Sequence, residues 1–397
     1  MKKKVVIGLS GGVDSSIAAF KLQEQGFDVE ALFMINWKDA SVTIRGDCTW
    51  EEDLVVAKLV AKKLDIPLHV VDSSEQYMQK VADYMFAEYQ KGRTPNPDVL
   101  CNREIKFDVF LDRVKEIGAD YFATGHYAKK ETVIQDGKTI YRLLAGDDKN
   151  KDQSYFLCQL SQSQLEKALF PIGDIEKPEV RRIAAELDLA TAYRKDSQGL
   201  CFIGKVDLPT FLQQKLAPKE GNIILIPHKK VVNENHLAQN IENEKERVKT
   251  LCQHRTFKSE DGSIVGKHNG AHYFTIGQRR GLNVGGMKAP LFVIGTDVIE
   301  NNIYVGMGKD HPGLYRSGLF IPKDDLHWVR PDMEMQIGER RDYLARIRYR
   351  QALVDATLYR YEEGMYITFK ETQRGITSGQ FAAWYDDNEL IGSGVIY

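Results

Sequence analysis

The feature that most constrains this chain is Val5–Leu9, an apolar run that ends directly in Ser10-Gly11-Gly12-Val13-Asp14-Ser15 and then in a helical pattern over Ser15–Gln25. A buried strand, a glycine-rich turn and a helix start in that order aim backbone N–H groups and the positive helix end at one point. That point is an anion site. Paired glycines let the backbone approach the anion closely and take positive φ. Ser10 and Ser15 add hydroxyl donors, and Asp14 stands where it can hold Mg2+ against phosphates. A turn built only for packing needs the glycines but not the two serines and the aspartate. Other nucleotide patterns fail. No G-x-G-x-x-G follows the first strand, and Gly137-Lys138-Thr139, which ends like a P-loop, has Thr132 where a P-loop needs glycine.

Around this motif the first third alternates strands with amphipathic helices, which predicts a parallel α/β sheet. Strands are expected at Val29–Ile35, Leu68–Val71 and Tyr121–Thr124, with helices at Glu51–Leu64, Gln76–Tyr89 and Arg103–Ile117. Thr132–Leu144 reads as a hairpin around Asp136-Gly137, and helical patterns return at Lys177–Leu187 and Leu208–Leu216. Beyond about residue 217 helical periodicity fades and short alternating runs appear, among them Ile303–Val305, Leu344–Tyr349 and Met365–Phe369. At 397 residues the chain exceeds one ordinary core. The expected division is a catalytic α/β domain over 1–206, a small β-rich middle domain over 207–287 and a β-barrel over 288–397. The polar stretch 228–258, with seven Lys/Arg against four Asp/Glu, reads as an insertion and a mobile arm.

Lys plus Arg (54) nearly balances Asp plus Glu (56), so a nucleic-acid partner must be held by local basic patches rather than by the overall field. Arg346, Arg348 and Arg350 would share one face of a strand, with Ile347 and Tyr349 on the other, and such a row suits a phosphate backbone. No apolar run approaches the roughly 18 residues of a membrane span. The apolar residues after Met1-Lys2-Lys3-Lys4 are too few for a signal segment, so the cytoplasm is expected.

Five cysteines (48, 101, 158, 201 and 252) form no C-x-x-C pair, which argues against a disulfide framework or a zinc site and leaves single thiols. Cys101 closes Arg93-Thr94-Pro95-Asn96-Pro97-Asp98-Val99-Leu100-Cys101-Asn102, where two prolines stiffen a loop and the next helix is expected to begin. A helix N-terminus favours thiolate, the nucleophilic form, and Asp98 is close enough in sequence to serve as acid or base. Cys201 lies in a second glycine-punctuated turn, Gly199-Leu200-Cys201-Phe202-Ile203-Gly204, off any apolar face; Cys158, inside Tyr155–Leu160, reads as core. A lone cysteine is more often a small buried hydrophobe than a catalyst. His268 and His272 have ligand-like spacing but no third partner, and Cys48 and Cys252 carry no assignable role.

The N-terminal loop, Pro95–Asn102, Thr124-Gly125-His126-Tyr127, Lys151-Asp152-Gln153-Ser154-Tyr155 and Gly199–Gly204 occur in this order. Phe274-Thr275-Ile276-Gly277-Gln278-Arg279-Arg280-Gly281-Leu282 and Arg346–Arg350 follow them. Together they resemble the tRNA-specific 2-thiouridylases of the PP-loop ATP pyrophosphatase superfamily, along nearly the whole chain. The resemblance implies adenylation of the C2 oxygen of the wobble uridine, with loss of pyrophosphate. Sulfur then comes from a persulfide on Cys201. Cys101 acts as nucleophile and ends disulfide-bonded to Cys201, with Asp98 as acid/base. ATP is expected on Gly8, Leu9, Ser10, Gly11, Gly12, Val13, Asp14, Ser15, Met34 and Gly125, and the target base at Asn96, Pro97 and Asp98. Contacts with tRNA are expected from His126, Lys151, Asp152, Gln153, Arg348, Tyr349 and Gln380. A persulfide donor (a cysteine desulfurase or relay protein) and a monomeric state complete the expectation. The residues alone leave three rivals open. These are a PP-loop ligase or amidotransferase using ammonia or an amine, a non-catalytic RNA-binding protein, and an iron–sulfur cluster on Cys101, Cys201 and Asp98.

Overall fold

The computed structural model describes residues 2–38, 50–196 and 208–397. Strand β1 (Lys4–Gly8) leads into helix α1 (Val13–Glu24), and β2 (Asp28–Ile35), α2 (Trp50–Leu64) and β3 (Leu68–Asp72) follow. Two long helical stretches, 74–90 and 97–117, precede β4 (Tyr121–Ala123), and a hairpin of β5 (Ala128–Gln135) and β6 (Lys138–Ala145) precedes the short β7 (Ala168–Leu169). The parallel sheet runs β3-β2-β1-β4-β7. Val5, Val6 and Ile7 are all fully buried because β1 is covered on both faces. Val5 and Ile7 face α1, α2 and helix Lys177–Glu186, whereas Val6 faces the helices over 74–117. The strand order reverses between β1 and β4. Ligands of open α/β sheets bind outside the strand ends at such a switch point, and here the Ser10–Ser15 turn occupies it.

Asp136 and Gly137 both have positive φ (49° and 74°), as a tight hairpin turn matching the strand twist requires. Beyond the parallel sheet the chain is β-rich. A four-stranded sheet places Leu291–Asp297, Asn302–Met307, Gly221–Leu225 and Ser263–His268 side by side. The barrel sheet joins Tyr315–Pro322, Gly364–Arg374, Val354–Tyr361, Arg340–Arg346, Phe381–Asp386 and Glu389–Val395, over a core that includes Leu319, Ile321, Ile367 and Trp384. Hairpin β5–β6 leaves the catalytic layer and continues this sheet, with Leu143 and Leu144 opposite Leu390 and Glu389.

Two expectations are corrected. The charged stretch 228–258 is no mobile arm. Its helix Glu244–Cys252 lies on the barrel, where Val248 and Cys252 pack with Tyr366, Arg316 Nη2 donates to the Cys252 carbonyl at 3.0 Å, and Lys249 pairs with Glu363 at 2.5 Å. Nor do the arginines form a row on one strand. The strand ends at Arg346, Arg350 takes φ of 64°, and Arg346 is buried in an ion pair with Asp152 at 2.9 Å.

Candidate active site

At the end of β1, Leu9 N–H still bonds the Leu32 carbonyl at 2.9 Å, and the chain then turns at Gly11 with φ of 75°. A Cβ on Gly11 would lie 2.6 Å from the Asp53 carbonyl, so only glycine fits where the first turn of α2 meets the loop. Ser15 Oγ accepts from Ser10 N–H at 3.2 Å, sits 3.2 Å from Ser10 Oγ and donates to the Gly12 carbonyl at 3.1 Å, which fixes the turn. Gly12 caps α1 without a side chain, so the first N–H groups of the helix have no intrahelical partner and face the switch point. A Cβ on Gly125, after β4, would meet Ser15 N at 2.7 Å, which closes the other side. Met34, on β2, is buried. The result is an anion cradle of backbone donors.

Asp14 is already engaged. Lys177 Nζ donates to both of its oxygens at 2.7 and 2.8 Å, and Tyr127 Oη donates to Oδ1 at 2.7 Å. As placed, with both oxygens taken by Lys177 and Tyr127, this carboxylate does not fit an Mg2+ ligand. Lys177 is itself buried and pairs also with Asp196 at 2.9 Å, which in turn receives Lys151 at 2.6 Å and Arg181 at 2.7 Å. Burial opposes ionisation of Asp196, yet hydrogen bonds from Lys151 and Lys177 hold its carboxyl far below the usual range. Burial and the neighbouring Asp14 push the Tyr127 phenol far above its ordinary value, so it stays a donor. Arg194 bonds the Gly11 carbonyl and Asp53, both at 2.8 Å. Lys177, Arg194 and Asp53 carried no sequence signal, and Tyr127 stood in the Thr124–Tyr127 motif without an assigned role. They meet the loop only through long-range folding.

The second half of the site is the helix that begins at Pro97. Asn96 caps it, its Oδ1 accepting from Val99 N–H at 3.3 Å. Cys101 therefore lies a full turn inside the helix rather than at its start, and it is fully buried among Val99, Leu100 and Ile105. Asp98 is partly exposed on the same turn, and its carbonyl accepts from Asn102 Nδ2 at 3.0 Å. The loop before the helix is gripped by the barrel and by the middle domain. Thr94 N–H donates to the Ser378 carbonyl at 2.8 Å, Gln380 Nε2 donates to the Thr94 and Pro95 carbonyls at 2.9 and 3.1 Å, and Thr275 Oγ1 lies 3.1 Å from Thr94 Oγ1. Gly379 has φ of 91°, and a Cβ there would lie 2.9 Å from the Thr94 carbonyl.

Several residues expected on tRNA turn inward. Asp152 is buried, its Oδ1 accepting from Gly146 and Ser154 N–H at 3.2 and 3.0 Å, and its other oxygen faces Arg346. Gln153 Oε1 accepts from Tyr127 N–H at 3.0 Å. His126 is buried, with Nδ1 2.7 Å from Thr124 Oγ1, and burial holds its pKa well below the ordinary value, so the ring is neutral. Gln380 is spent on the Thr94–Asn96 loop. Arg348 is exposed and donates to the Arg374 carbonyl at 2.9 Å, while Tyr349 lies against Phe156 with ring centroids 4.4 Å apart. Cys48 and Cys201, with its Gly199–Gly204 motif, lie outside the described residues.

A parallel sheet with an uncapped helix start at its switch point, and a cysteine–aspartate helix gripped by a β-barrel, define a PP-loop nucleotide enzyme fused to β domains. Residues 3–205 match the family model described as tRNA methyl transferase HUP domain. Residues 245–307 match its PRC-barrel domain, and 320–396 match an aminomethyltransferase beta-barrel domain. Relatives called tRNA-specific 2-thiouridylase MnmA are similar throughout. Those of Flavobacterium johnsoniae and Christiangramia forsetii are each 59% identical, covering 99% of this chain and 100% of theirs. That of Karelsulcia muelleri is 45% identical, covering 100% of this chain and 99% of its own. The chain belongs to the tRNA-specific 2-thiouridylase family. Among the described residues no helix is long and apolar enough to cross a membrane.

Proposed function

We propose that this chain is a tRNA-uridine 2-sulfurtransferase acting in the cytoplasm, with ATP and a persulfide donor as co-substrates. The triphosphate lies on the Ser10–Ser15 cradle, and Asp14 stays paired with Lys177 and Tyr127. The C2 oxygen of the target uridine, unstacked beside Asn96–Asp98, attacks the α-phosphorus; the bond to the β-phosphate breaks and pyrophosphate leaves. A urea-like carbonyl is a poor electrophile, and converting its oxygen to AMP supplies a leaving group. The terminal sulfur of a Cys201 persulfide adds to C2 and AMP departs with the oxygen. Cys101 thiolate then attacks Cys201 Sγ, the S–S bond breaks, the sulfur stays on the base, and a Cys101–Cys201 disulfide is left for an external thiol to reduce. Asp98 moves the protons.

What carries this reading is the pairing of an anion cradle at the switch point with Asp98 and Cys101 on one capped helix turn. The exposed Arg348, with Lys151 and Tyr349, serves tRNA. His126, Asp152, Gln153 and Gln380 act by holding the loops in place. The test is purified chain, tRNA, ATP and a persulfide source. Pyrophosphate release that depends on tRNA, with 2-thiouridine found by nucleoside mass spectrometry, supports it; ATP turnover indifferent to tRNA refutes it.

A further inference from the structure

Residues 191–196 form a turn pinned from several sides. Thr191 Oγ1 donates to Ser16 Oγ in α1 at 3.2 Å. Arg181 Nη1 donates to the carbonyls of Ala192 and Arg194 at 2.9 and 3.0 Å. Arg194 reaches the Gly11 carbonyl, and Asp196 receives Lys151 and Arg181. From this turn Tyr193 projects with 90% of its surface exposed. Lys195 is exposed two residues on, and Lys149 is exposed on the neighbouring turn that Lys151 ties to Asp196. Among the described residues neither lysine has a carboxylate partner.

Singly exposed apolar side chains are ordinary. Tyr193 differs in three respects: its backbone is fixed, its turn touches the PP-loop, and an exposed lysine without a carboxylate partner among the described residues stands on its own turn (Lys195) and on the turn tied to it (Lys149). A ring with two side-chain torsions on a fixed backbone loses little freedom on making a contact. Cations beside a free aromatic face are the two components of single-stranded RNA binding, stacking plus phosphate attraction. We infer that Tyr193 is a stacking platform for an unpaired base of the tRNA held at the PP-loop, with Lys195 on an adjacent phosphate. This rests on tRNA being the substrate. It adds a contact outside the target-base pocket, and one that favours an open loop over a duplex, whose bases hide their faces.

The test uses the full chain with tRNA, ATP and a persulfide source. Tyr193→Ala should raise KM for tRNA about tenfold, and Tyr193→Phe should not, because the ring and not the hydroxyl makes the contact. KM for ATP should stay as in the unaltered chain. Lys195→Gln should lower the slope of log affinity for tRNA against log salt by about one. An unchanged KM for tRNA in Tyr193→Ala overturns the inference, as does an equal loss in Tyr193→Phe or a change confined to KM for the sulfur donor. If the unaltered chain does not thiolate tRNA, the functional reading fails first, and the two failures are distinct. The side chain is almost wholly exposed, so these variants fold.

Discussion

Asn96 and Gln380 are 284 residues apart in sequence, yet Asn96 Nδ2 donates to Gln380 Oε1 at 3.3 Å. The same Gln380 amide holds the Thr94 and Pro95 carbonyls. The residue that caps the cysteine helix is therefore set by the barrel, and the active site is complete only when the β half is docked on the α/β layer.

This predicts a kinetic defect in Gln380→Ala that persists when the variant is folded. A misplacement on the order of 1 Å of a reacting group can cost up to about a hundredfold in rate. A fall of about tenfold in the single-turnover thiolation rate is expected at temperatures where the variant is folded, while loss of the three Gln380 hydrogen bonds, at about 1 kcal/mol each, lowers stability by no more than about 3 kcal/mol. An unchanged rate would show that the barrel does not position the loop.

Arg346→Met should act on stability instead. It leaves the Asp152 carboxylate, 4% exposed, without its 2.9 Å partner, and removing one member of a buried ion pair costs about 3 kcal/mol. A marked drop in denaturant midpoint is expected, partly restored by adding Asp152→Asn. The salt dependence of tRNA binding should stay as it is, because Arg346 is not at the surface.

The Asp196 cluster gives a pH signature. The folded pKa of Asp196 is held below its unfolded value of about 3.9. Its contribution is therefore whole above that value and is lost as pH falls through it toward the folded value. The group is partly exposed, so the size is on the order of 1 kcal/mol after screening. Denaturation curves at neutral pH and near pH 3 should differ less for Asp196→Asn than for the unaltered chain.

Thiol chemistry should separate the cysteines. Burial pushes both Cys158 and Cys252 up to about 12, so neither should react with iodoacetamide in the native chain at neutral pH. Peptide mapping after alkylation checks this, and rapid labelling of either would contradict their placement in the core.

The sequence made some of this legible and hid the rest for physical reasons. The Ser10–Ser15 loop, the parallel strands and the Asp136-Gly137 turn are local patterns, set by residues within a few positions of one another, and they appear where expected. Helix 97–117 starts earlier than expected because Asn96 and Pro97 form a cap and first turn within what reads as a proline-stiffened loop. Lys177 on Asp14, Arg194 on Gly11 and Gln380 on Thr94 join positions 163, 183 and 286 residues apart, and no periodicity reports such pairs. Asp152 and His126 are expected on tRNA only through the family resemblance, which says nothing of what each side chain bonds within the chain. In the fold Asp152 pairs with Arg346 and His126 lies against Thr124. Helix Glu244–Cys252 looked solvated because its apolar stripe is little more than Val248 and Cys252, one turn apart.

The most direct test of the chemistry is to follow the Cys201 persulfide to its end. After one turnover with adenylatable tRNA and no reductant, mass spectrometry of proteolysed chain should show Cys101 joined to Cys201, and Cys201→Ser should give neither this disulfide nor 2-thiouridine. Normal 2-thiouridine from Cys201→Ser, or turnover that leaves both thiols reduced, would contradict it.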